Sequence, residues 1–330
     1  MAGKIGGGKL AKKAESTRAM KVPLIEEIKN IITQGNKEIS AINKKIILAG
    51  DNGTSKSSLS LFLLTHDLDL PEKIPVTNED GKPLKDENGE PLMGWPDEDL
   101  KDHEFIVYID ADSSGHEIAN LFFRDYIDTR RLILWSPIQL TENEEGSTVV
   151  DEGATVSAIA TMAAALRDLL QDGYKIKAVV VDGVSFILKY CEAFMRDEKG
   201  IGADEGTKFQ IWKIRDDKFR EFKDPFMALP LTVIFIGHTD FIPEDTPVDQ
   251  SFASVKQKFI DECSMRIVLR KTESSNDSNV HHYVATIKKD RSNILVVDKD
   301  YIFMTVNNKK NIVETDHDTV FDAIFPTKSE

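Results

Sequence analysis

The chain has 330 residues, of which 41% are hydrophobic and 30% are charged, a balance typical of a globular protein with one main domain. Cys191 and Cys263 lie far apart with no metal-binding spacing, which argues against a disulfide framework and a zinc site. The net charge of -14 argues against a generally basic surface that binds polyanions, although a local basic groove could still bind nucleic acid. We expect a cytoplasmic protein without a membrane partner, because neither a signal peptide nor a long apolar segment is evident.

Two segments precede the predicted main domain. Residues 1–21 are rich in glycine and lysine and poor in apolar residues, which predicts a disordered basic arm. Such an arm serves either as a solubilising tail or as a contact for nucleic acid. Residues 22–43 have apolar side chains at helical spacing and predict an N-terminal helical appendage.

Short apolar runs rich in β-branched residues predict the strands of a buried sheet, at 44–50, 104–110, 131–136, 176–182 and 231–237. Helical stretches follow each of the first four runs, a pattern typical of an α/β domain with a mainly parallel central sheet flanked by helices. Residues 71–103 repeat a turn signature, DGKPL and then NGEPL, and predict a hairpin or loop insertion. The later runs MRIVLR, HHYVATIKK and ILVVDK have no long helix between them and predict a C-terminal antiparallel extension.

The first predicted strand leads into a candidate phosphate-binding loop. The sequence fits the template G-x-x-x-x-G-K-[ST] at every fixed position except Ser55, where glycine is expected. Backbone N–H groups at the start of the following helix suit a triphosphate. Lys56 is predicted to contact the β- and γ-phosphates of ATP, and Ser57 to hold Mg²⁺. The predicted nucleotide-binding residues are Gly50, Asp51, Asn52, Gly53, Thr54, Ser55, Lys56, Ser57 and Ser58.

Carboxylates end two other predicted strands. Asp182 closes the run KAVVVD at the strand end where ligands of open α/β sheets bind, and is predicted to hold Mg²⁺ together with Ser57. Asp110 and Asp112 end the run FIVYIDAD, and one of them is predicted to polarise the attacking water as a general base.

The order of these motifs, followed by LPLTVIFIGHTD, resembles the RecA-like ATPase core over about residues 44 to 300. The likeness is greatest to the recombinase-type members from phages and archaeal viruses, which would place the protein in a host cytoplasm. The resemblance implies a RecA-like domain over 44–310 and a C-terminal tail over 311–330. It also assigns the catalytic carboxylate to Asp112, where the family usually has glutamate, and a γ-phosphate sensor to His238.

The resemblance implies assembly and a DNA partner as well. Lys289 and Arg291 match the spacing of a K-x-R pair that acts in a neighbouring subunit's nucleotide site, so we expect a homo-oligomeric ring or filament. The family's two DNA-binding loops correspond to 196–208 and 239–258. The second segment, which contains Phe241, Phe252, Lys256 and Lys258, is the stronger candidate for single-stranded DNA.

The expected function is therefore that of a Mg²⁺-dependent ATPase acting on single-stranded DNA in recombination, annealing or replication. Three alternatives stay open. A DnaB-type hexameric helicase motor shares the core and the K-x-R pair, although the N-terminal region here is short for a partner-binding domain. A ParA/MinD-like partition ATPase has a similar IDxD strand, but its signature lysine follows the first loop glycine, where this chain has Asp51. A non-catalytic scaffold gated by nucleotide would explain Ser55 and Asp112.

Overall fold

The computed structural model describes residues 43–143, 145–202, 205–206, 209–238 and 255–326. The predicted basic arm and the predicted helical appendage lie outside these residues, apart from Asn43. Most of the predicted DNA-binding segment 239–258 lies outside them too. Its last residues, 255–258, begin a helix.

A nine-stranded mixed sheet forms the centre of the described fold. Its strands are β1 (Lys45–Gly50), β4 (Phe105–Asp110), β5 (Leu132–Trp135), β8 (Ile176–Asp182), β9 (Thr232–Gly237), β10 (Met265–Glu273), β11 (Val280–Asp290), β12 (Asp300–Asn307) and β13 (Ile312–Thr315). They lie in the order β13-β12-β11-β10-β1-β9-β8-β4-β5. The strands from β10 to β5 in this order pair in parallel, whereas β11, β12 and β13 pair antiparallel. Two small ribbons, β2 (Ile74–Pro75) with β3 (Met93–Gly94) and β6 (Leu140–Glu142) with β7 (Thr148–Val150), lie outside this sheet.

Helices cover both faces of the sheet. One face carries α1 (Lys56–Thr65), α2 (Gly115–Phe122), α3 (Arg124–Asp128) and α8 (His317–Ile324). The other carries α4 (Glu152–Gln171), α5 (Val184–Glu198), α6 (Trp212–Met227) and α7 (Val255–Glu262). Alternate strand residues therefore reach different cores: Ile46 belongs to the first and Ile47 to the second. This double coverage explains the continuous apolar runs, because neither side of a central strand meets water.

The α/β fold class, with a large and mostly parallel sheet and a C-terminal antiparallel part, is confirmed. One detail of the extension differs from expectation, since β10 pairs in parallel with β1 and antiparallel with β11. The prediction of a strand at ILVVDK is wrong. Residues 294–296 form a 3-10 turn in which Ile294 and Leu295 are exposed, and the strand begins only at Asp300.

The prediction of a C-terminal tail at 311–330 is also wrong for the described part of that stretch. β13 adds an edge strand to the sheet, pairing Met304 with Thr315. α8 then packs three buried side chains, Val320, Ala323 and Ile324, against the core. The domain thus extends through α8, because these apolar side chains lie on one face of a helix capped by Asp316.

The repeated turn signature within 71–103 corresponds to two turns of the same form. Asn78 and Asp86 each accept backbone hydrogen bonds on the side-chain oxygen, and Gly81 and Gly89 follow with φ of 76° and 83°. Glycine suits both positions because they lie in the left-handed region.

The expectation that no segment is apolar enough to span a membrane needs one correction. By length and composition alone, α4 would be long and apolar enough to do so. In the fold, one face of α4 packs on the sheet, with Val156, Ile159, Ala163 and Leu166 in the core. The cytoplasmic location stays a prediction.

Candidate functional site

The loop between β1 and α1 wraps around the side chain of Lys56. The Lys56 ammonium donates hydrogen bonds to the carbonyl oxygens of Gly50 (3.0 Å) and Asp51 (2.9 Å). The Thr54 hydroxyl also donates to the Asp51 carbonyl, at 2.7 Å. A Cβ at residue 50 would lie 2.9 Å from the carbonyl oxygen of Leu269 on β10, so the close packing of the two strands requires glycine there. The tight loop therefore follows from a small residue at its start and a lysine at its end.

Ser55 occupies the position where the phosphate-loop template has glycine. The backbone conformation of Ser55 shows why glycine is preferred there. Its φ of 60° and ψ of 34° lie in the left-handed region, directly before the first residue of α1. This conformation costs a residue with a Cβ roughly 1–2 kcal/mol. The chain thus adopts the geometry of the template with a residue that is less suited to it.

A cavity of about 430 Å³ opens beside this loop. It lies at the edge of the sheet where β1, β4, β8 and β9 end, here called the carboxyl edge. Its lining residues are Asn52, Gly53, Ser55, Lys56, Ser57, Ser58, Asp112, Ser114, Ile118, Asp182, Phe186 and His238. The structure therefore brings the predicted phosphate loop, two predicted carboxylates and the predicted sensor histidine to one place. Of the other predicted loop residues, Gly50, Asp51 and Thr54 shape the loop without lining the cavity.

Asp182 lines this cavity and is 2% exposed. Its Oδ2 accepts a hydrogen bond from the Ser57 hydroxyl at 2.5 Å and another from the Tyr108 hydroxyl. Burial, followed by the nearby charge of Asp112, raises the pKa of Asp182 to about 7 although both hydrogen bonds oppose the shift. A bound cation would stabilise the ionised form of this carboxylate.

The two carboxylates after β4 have different surroundings. Asp110 is fully buried, and its Oδ2 accepts from the backbone N–H of His116 at 3.0 Å and lies 2.6 Å from Nδ1 of the same residue. Asp112 lines the cavity, where its Oδ1 accepts from the Ser114 N–H at 3.0 Å. Of the two, only Asp112 borders the cavity, so it is the one placed to contact a water molecule there.

His238 follows β9, which lies between β1 and β8 in the sheet. This strand order places the histidine between the Lys56 loop and Asp182. Its backbone N–H donates to the Ser185 hydroxyl at 2.9 Å, and its ring lies 6.0 Å from that of Phe186. The histidine is thus anchored through its backbone, and its side chain borders the cavity.

Lys289 and Arg291 lie at the opposite edge of the sheet, here called the amino edge, where β10 begins and the antiparallel β11 ends. Arg266 and Lys289 are paired residues, as are Met265 and Asp290. The Lys289 ammonium donates to the carbonyl oxygen of Asp261 at 2.8 Å, and the Arg291 guanidinium donates to the same oxygen. Both cations thus cap the C-terminal turn of α7, where positive charge is favourable, and the structure does not bring them to the cavity of their own chain.

The described part of the segment 196–208 is held by its own arginine. The Arg196 guanidinium donates to the carbonyl oxygens of Gly202 (3.0 Å) and Glu205 (3.3 Å) and forms an ion pair with Glu192. Lys199 is the exposed basic residue in the part of this segment that the structure describes. A role for 196–208 or 239–258 in binding DNA stays a prediction.

Several residues of the site were not identified from the sequence. Tyr108 bonds to Asp182 because β4 and β8 are neighbours, with Tyr108 opposite Val180. Gly115 makes room for its ring, since a Cβ there would lie 2.6 Å from the Tyr108 hydroxyl. Ser114 and Ile118 have the four-residue spacing of one helix face after a strand ending in aspartate, a signal that would have identified them.

No family model and no curated protein matches this chain. The cavity fits a magnesium-bound nucleotide in its chemistry. Lys56 is placed beside backbone N–H groups at a helix start, which suits phosphates. Burial lowers the pKa of Lys56, while the charges of Asp182 and Asp112 oppose the shift. Ser57 and Asp182 offer the oxygen ligands that Mg²⁺ prefers.

Proposed function

We propose that the protein is a RecA-like, Mg²⁺-dependent ATPase that acts on single-stranded DNA. The observation that carries the proposal is the convergence of Lys56, Ser57, Asp182 and Asp112 on one cavity at the carboxyl edge of a parallel sheet. This is the edge where open α/β sheets bind ligands. A cation from a loop, a hydroxyl, a buried carboxylate and a carboxylate bordering the cavity are the groups that phosphoryl transfer to water requires.

Each residue has a distinct task in this proposal. The loop N–H groups and Lys56 bind the phosphates, and Ser57 and Asp182 hold Mg²⁺, which neutralises charge on the phosphate oxygens. Asp112 accepts a proton from the attacking water, because it is the carboxylate after β4 that borders the cavity. His238 contacts the γ-phosphate from its place between the loop and Asp182.

The opposite placement of the cavity and the K-x-R pair favours assembly. Lys289 and Arg291 lie at the amino edge, whereas the cavity lies at the carboxyl edge of the same sheet. In this fold one chain cannot apply its own pair to its own nucleotide. A head-to-tail neighbour can do so, and repetition of that contact produces a ring or a filament. We therefore propose that the pair acts in trans. As the resemblance implies, we also propose that single-stranded DNA binds chiefly through 239–258, with 196–208 as the weaker candidate.

A non-catalytic scaffold gated by nucleotide is the second candidate. It is favoured by Ser55, which keeps a side chain in a left-handed position next to the phosphate site. ATP binding without turnover would identify this second candidate.

The decisive experiment measures ATP binding and turnover with and without single-stranded DNA. We expect Lys56→Ala to abolish Mg²⁺-dependent ATP affinity, because the ammonium and the loop act on the same phosphates. Lys309→Ala, which removes an exposed lysine from the turn after β12, is the matched control and should bind ATP normally. Unchanged ATP binding by Lys56→Ala would exclude the phosphate-loop interpretation.

The trans arrangement is tested by mixing Arg291→Ala with Lys56→Ala. Each variant alone should be nearly inactive, and the mixture should recover turnover because some interfaces pair an intact loop with an intact arginine. An arginine acting in this way contributes about 10³ to 10⁵ in rate, so partial recovery would be measurable. Lys288→Ala is the control, since Lys288 pairs with Asp298 in its own chain. Full activity of Arg291→Ala would rule out the trans role.

A further inference from the structure

The most exposed large apolar side chains in the described residues form two adjacent pairs. Ile294 and Leu295 are 82% and 74% exposed, and Leu121 and Phe122 are 67% and 66% exposed. We call them the 294–295 pair and the 121–122 pair. Isolated exposed apolar residues are common on protein surfaces, but adjacent ones that are this open mark candidate interaction sites.

The 294–295 pair is presented by a fixed turn at the amino edge. The side chain of Asn293 accepts a hydrogen bond from the backbone N–H of Leu295 at 3.1 Å, and Val296, the next residue, is buried. The Asp298 N–H donates to the carbonyl oxygen of Ile287 at 2.7 Å, which returns the chain to the sheet. The pair therefore projects from an ordered turn that begins three residues after Arg291.

The 121–122 pair lies at the end of α2, the helix that borders the cavity through Ile118. Ala119 and Phe123 are buried in the core and anchor this part of the chain. The pair between them consequently faces outward. It is one helical turn further along α2 than the residue that lines the cavity.

We propose that the 294–295 pair of one copy docks on the 121–122 pair of the next copy. The inference rests on the proposed delivery of Arg291 to a neighbour's cavity. Three residues of chain span at most about 10 Å, so the copy that inserts Arg291 brings its 294–295 pair beside the same cavity. The helix that borders this cavity carries the 121–122 pair.

Charge complementarity supports a second copy as the occupant. Around the 294–295 pair, residues 288–299 include four basic and two acidic side chains. Around the 121–122 pair, residues 115–128 include three acidic and one basic side chain. The first stretch therefore carries a net positive charge and the second a net negative charge, which favours contact between them and disfavours contact of either stretch with its own copy.

Because the two surfaces differ, the contact is heterologous. Each copy keeps one surface for the preceding copy and the other for the following copy. Repetition of the contact gives a ring if the rotation closes and a filament if it does not. The apolar pairs form the centre of the contact, and the charged residues around them form its rim.

The test uses two double variants and measures the mass of the full chain in solution by light scattering over a range of concentrations, with Mg²⁺ and ATP. Ile294→Asp/Leu295→Asp removes one surface and Leu121→Asp/Phe122→Asp removes the other. We expect the wild type to form multiples of the 37.0 kDa chain and each double variant to stay at one chain mass. Leu140→Asp, which changes a 64% exposed leucine in β6, is the matched control and should assemble like the wild type.

Mixing the two double variants gives the sharper result. Each retains the surface that the other lacks, so one intact contact can form, and both outer surfaces of the resulting pair are defective. The mixture should therefore stop at two chains, twice 37.0 kDa. Assembly by either double variant alone would overturn the proposal, because it would show that the chain assembles through a different contact. A mixture that stays at one chain mass, or a wild type that never assembles, would also overturn it.

An engineered cross-link provides a second measurement. Leu121→Cys and Leu295→Cys in separate chains should form a disulfide between copies, whereas Leu140→Cys with Leu295→Cys should not. The two native cysteines are buried, which keeps them out of this reaction. Lys56-dependent ATP binding by each double variant is measured in parallel. If variants that do not assemble still bind ATP, the contact between copies has been lost while the proposed nucleotide site is intact.

Discussion

The two edges of the central sheet bury ionisable groups in different ways. At the amino edge, Lys44 and Asp290 are each 1% exposed and form an ion pair at 3.2 Å, and the same ammonium donates to the carbonyl oxygen of Ile324 at 2.5 Å. At the carboxyl edge, Asp182 has a pKa raised to about 7. Asp110 has a buried Oδ1 with no hydrogen-bond partner among the described residues.

This difference separates structural charge from charge kept for a ligand. Buried ions whose partners lie within the chain hold elements together, as Lys44 and Asp290 join the start of β1 to the end of β11. Asp182 instead accepts hydrogen bonds from the Ser57 and Tyr108 hydroxyls, and burial of such a carboxylate costs stability that a bound cation would offset. We infer that the carboxyl edge is the edge shaped by a ligand, and the following substitutions test that contrast.

The largest expected effect concerns catalysis at the carboxyl edge. Asp112→Asn should retain ATP binding and lose turnover by about 10² to 10⁴, because an amide cannot accept the proton of the attacking water. Binding is measured by titration and turnover by phosphate release. Asp110→Asn is the comparison, and it should leave the chemical step less affected because Asp110 is enclosed by His116 contacts. Normal turnover in Asp112→Asn with loss in Asp110→Asn would reverse the assignment of the base.

The next effect concerns the ion pair at the amino edge. Burial by itself raises the pKa of Asp290, but hydrogen bonds from Ser292 and the charge of Lys44 outweigh it and leave that pKa below its usual value. Lys44→Met should lower the free energy of unfolding by about 3–5 kcal/mol, because it leaves a buried carboxylate without its counterion. Urea unfolding measures the change.

A double variant provides the control for this prediction. Lys44→Met/Asp290→Leu removes both charges and should be less destabilised than Lys44→Met alone. If the single substitution costs less than about 1 kcal/mol, the pair at the amino edge is not a structural ion pair.

The sheet was predictable because its central strands are covered on both faces, which produces apolar runs without alternation. The same rule failed at Ile294 and Leu295, where adjacent apolar residues lie in an exposed turn. It also missed α8, whose buried side chains are too few to make a strong helical pattern. Sequence patterns reveal burial against a large sheet more readily than they reveal short edge elements.

Within the site, the sequence pointed to the carboxylates that end strands, Asp182 and the pair Asp110 and Asp112, because parallel strands end at one edge. The choice of Asp112 over Asp110 and the role of His238 came from the resemblance to the RecA-like core. It could not identify Tyr108, whose contact with Asp182 depends on which strands are neighbours. Nor could it show that Lys289 lies at the opposite edge, because that depends on the antiparallel direction of β11.

A smaller effect with the opposite sign is expected at Asp182. Its pKa is raised from 3.8 to about 7, so the folded state binds the proton more tightly and wild-type stability falls as the pH rises through this window. Asp182→Asn has no carboxyl group to ionise, so it should be more stable than the wild type at pH 8. The difference should be at most about 4 kcal/mol, since one pKa unit corresponds to ~1.4 kcal/mol. Urea unfolding at pH 5 and pH 8 without Mg²⁺ or nucleotide measures the difference.

Asp300→Asn is the control for this pH dependence. A hydrogen bond from Thr286 lowers the pKa of Asp300, so that carboxylate stabilises the fold at pH 8 and its loss should be destabilising. If Asp182→Asn is less stable than the wild type at pH 8, interactions within the chain already offset the cost of burying the Asp182 carboxylate. The contrast between the two edges would then fail.

The smallest effect is expected at Ser55, where the carboxyl edge stores backbone strain. Replacing Ser55, which has a left-handed backbone conformation (φ 60°), by glycine removes about 1–2 kcal/mol of steric cost from the folded state. Glycine also makes the unfolded chain more flexible, which lowers the free energy of unfolding by about 0.4–1 kcal/mol. Ser55→Gly should therefore raise the free energy of unfolding by no more than about 1.6 kcal/mol. Ser58→Gly, in the first turn of α1, should lower it by about 0.5 kcal/mol or less, because glycine is a poorer helix former than serine. The two serines are three residues apart and undergo the same chemical change, so opposite signs in urea unfolding isolate the backbone conformation. Equal destabilisation by both substitutions would show that Ser55 is not held in the left-handed region.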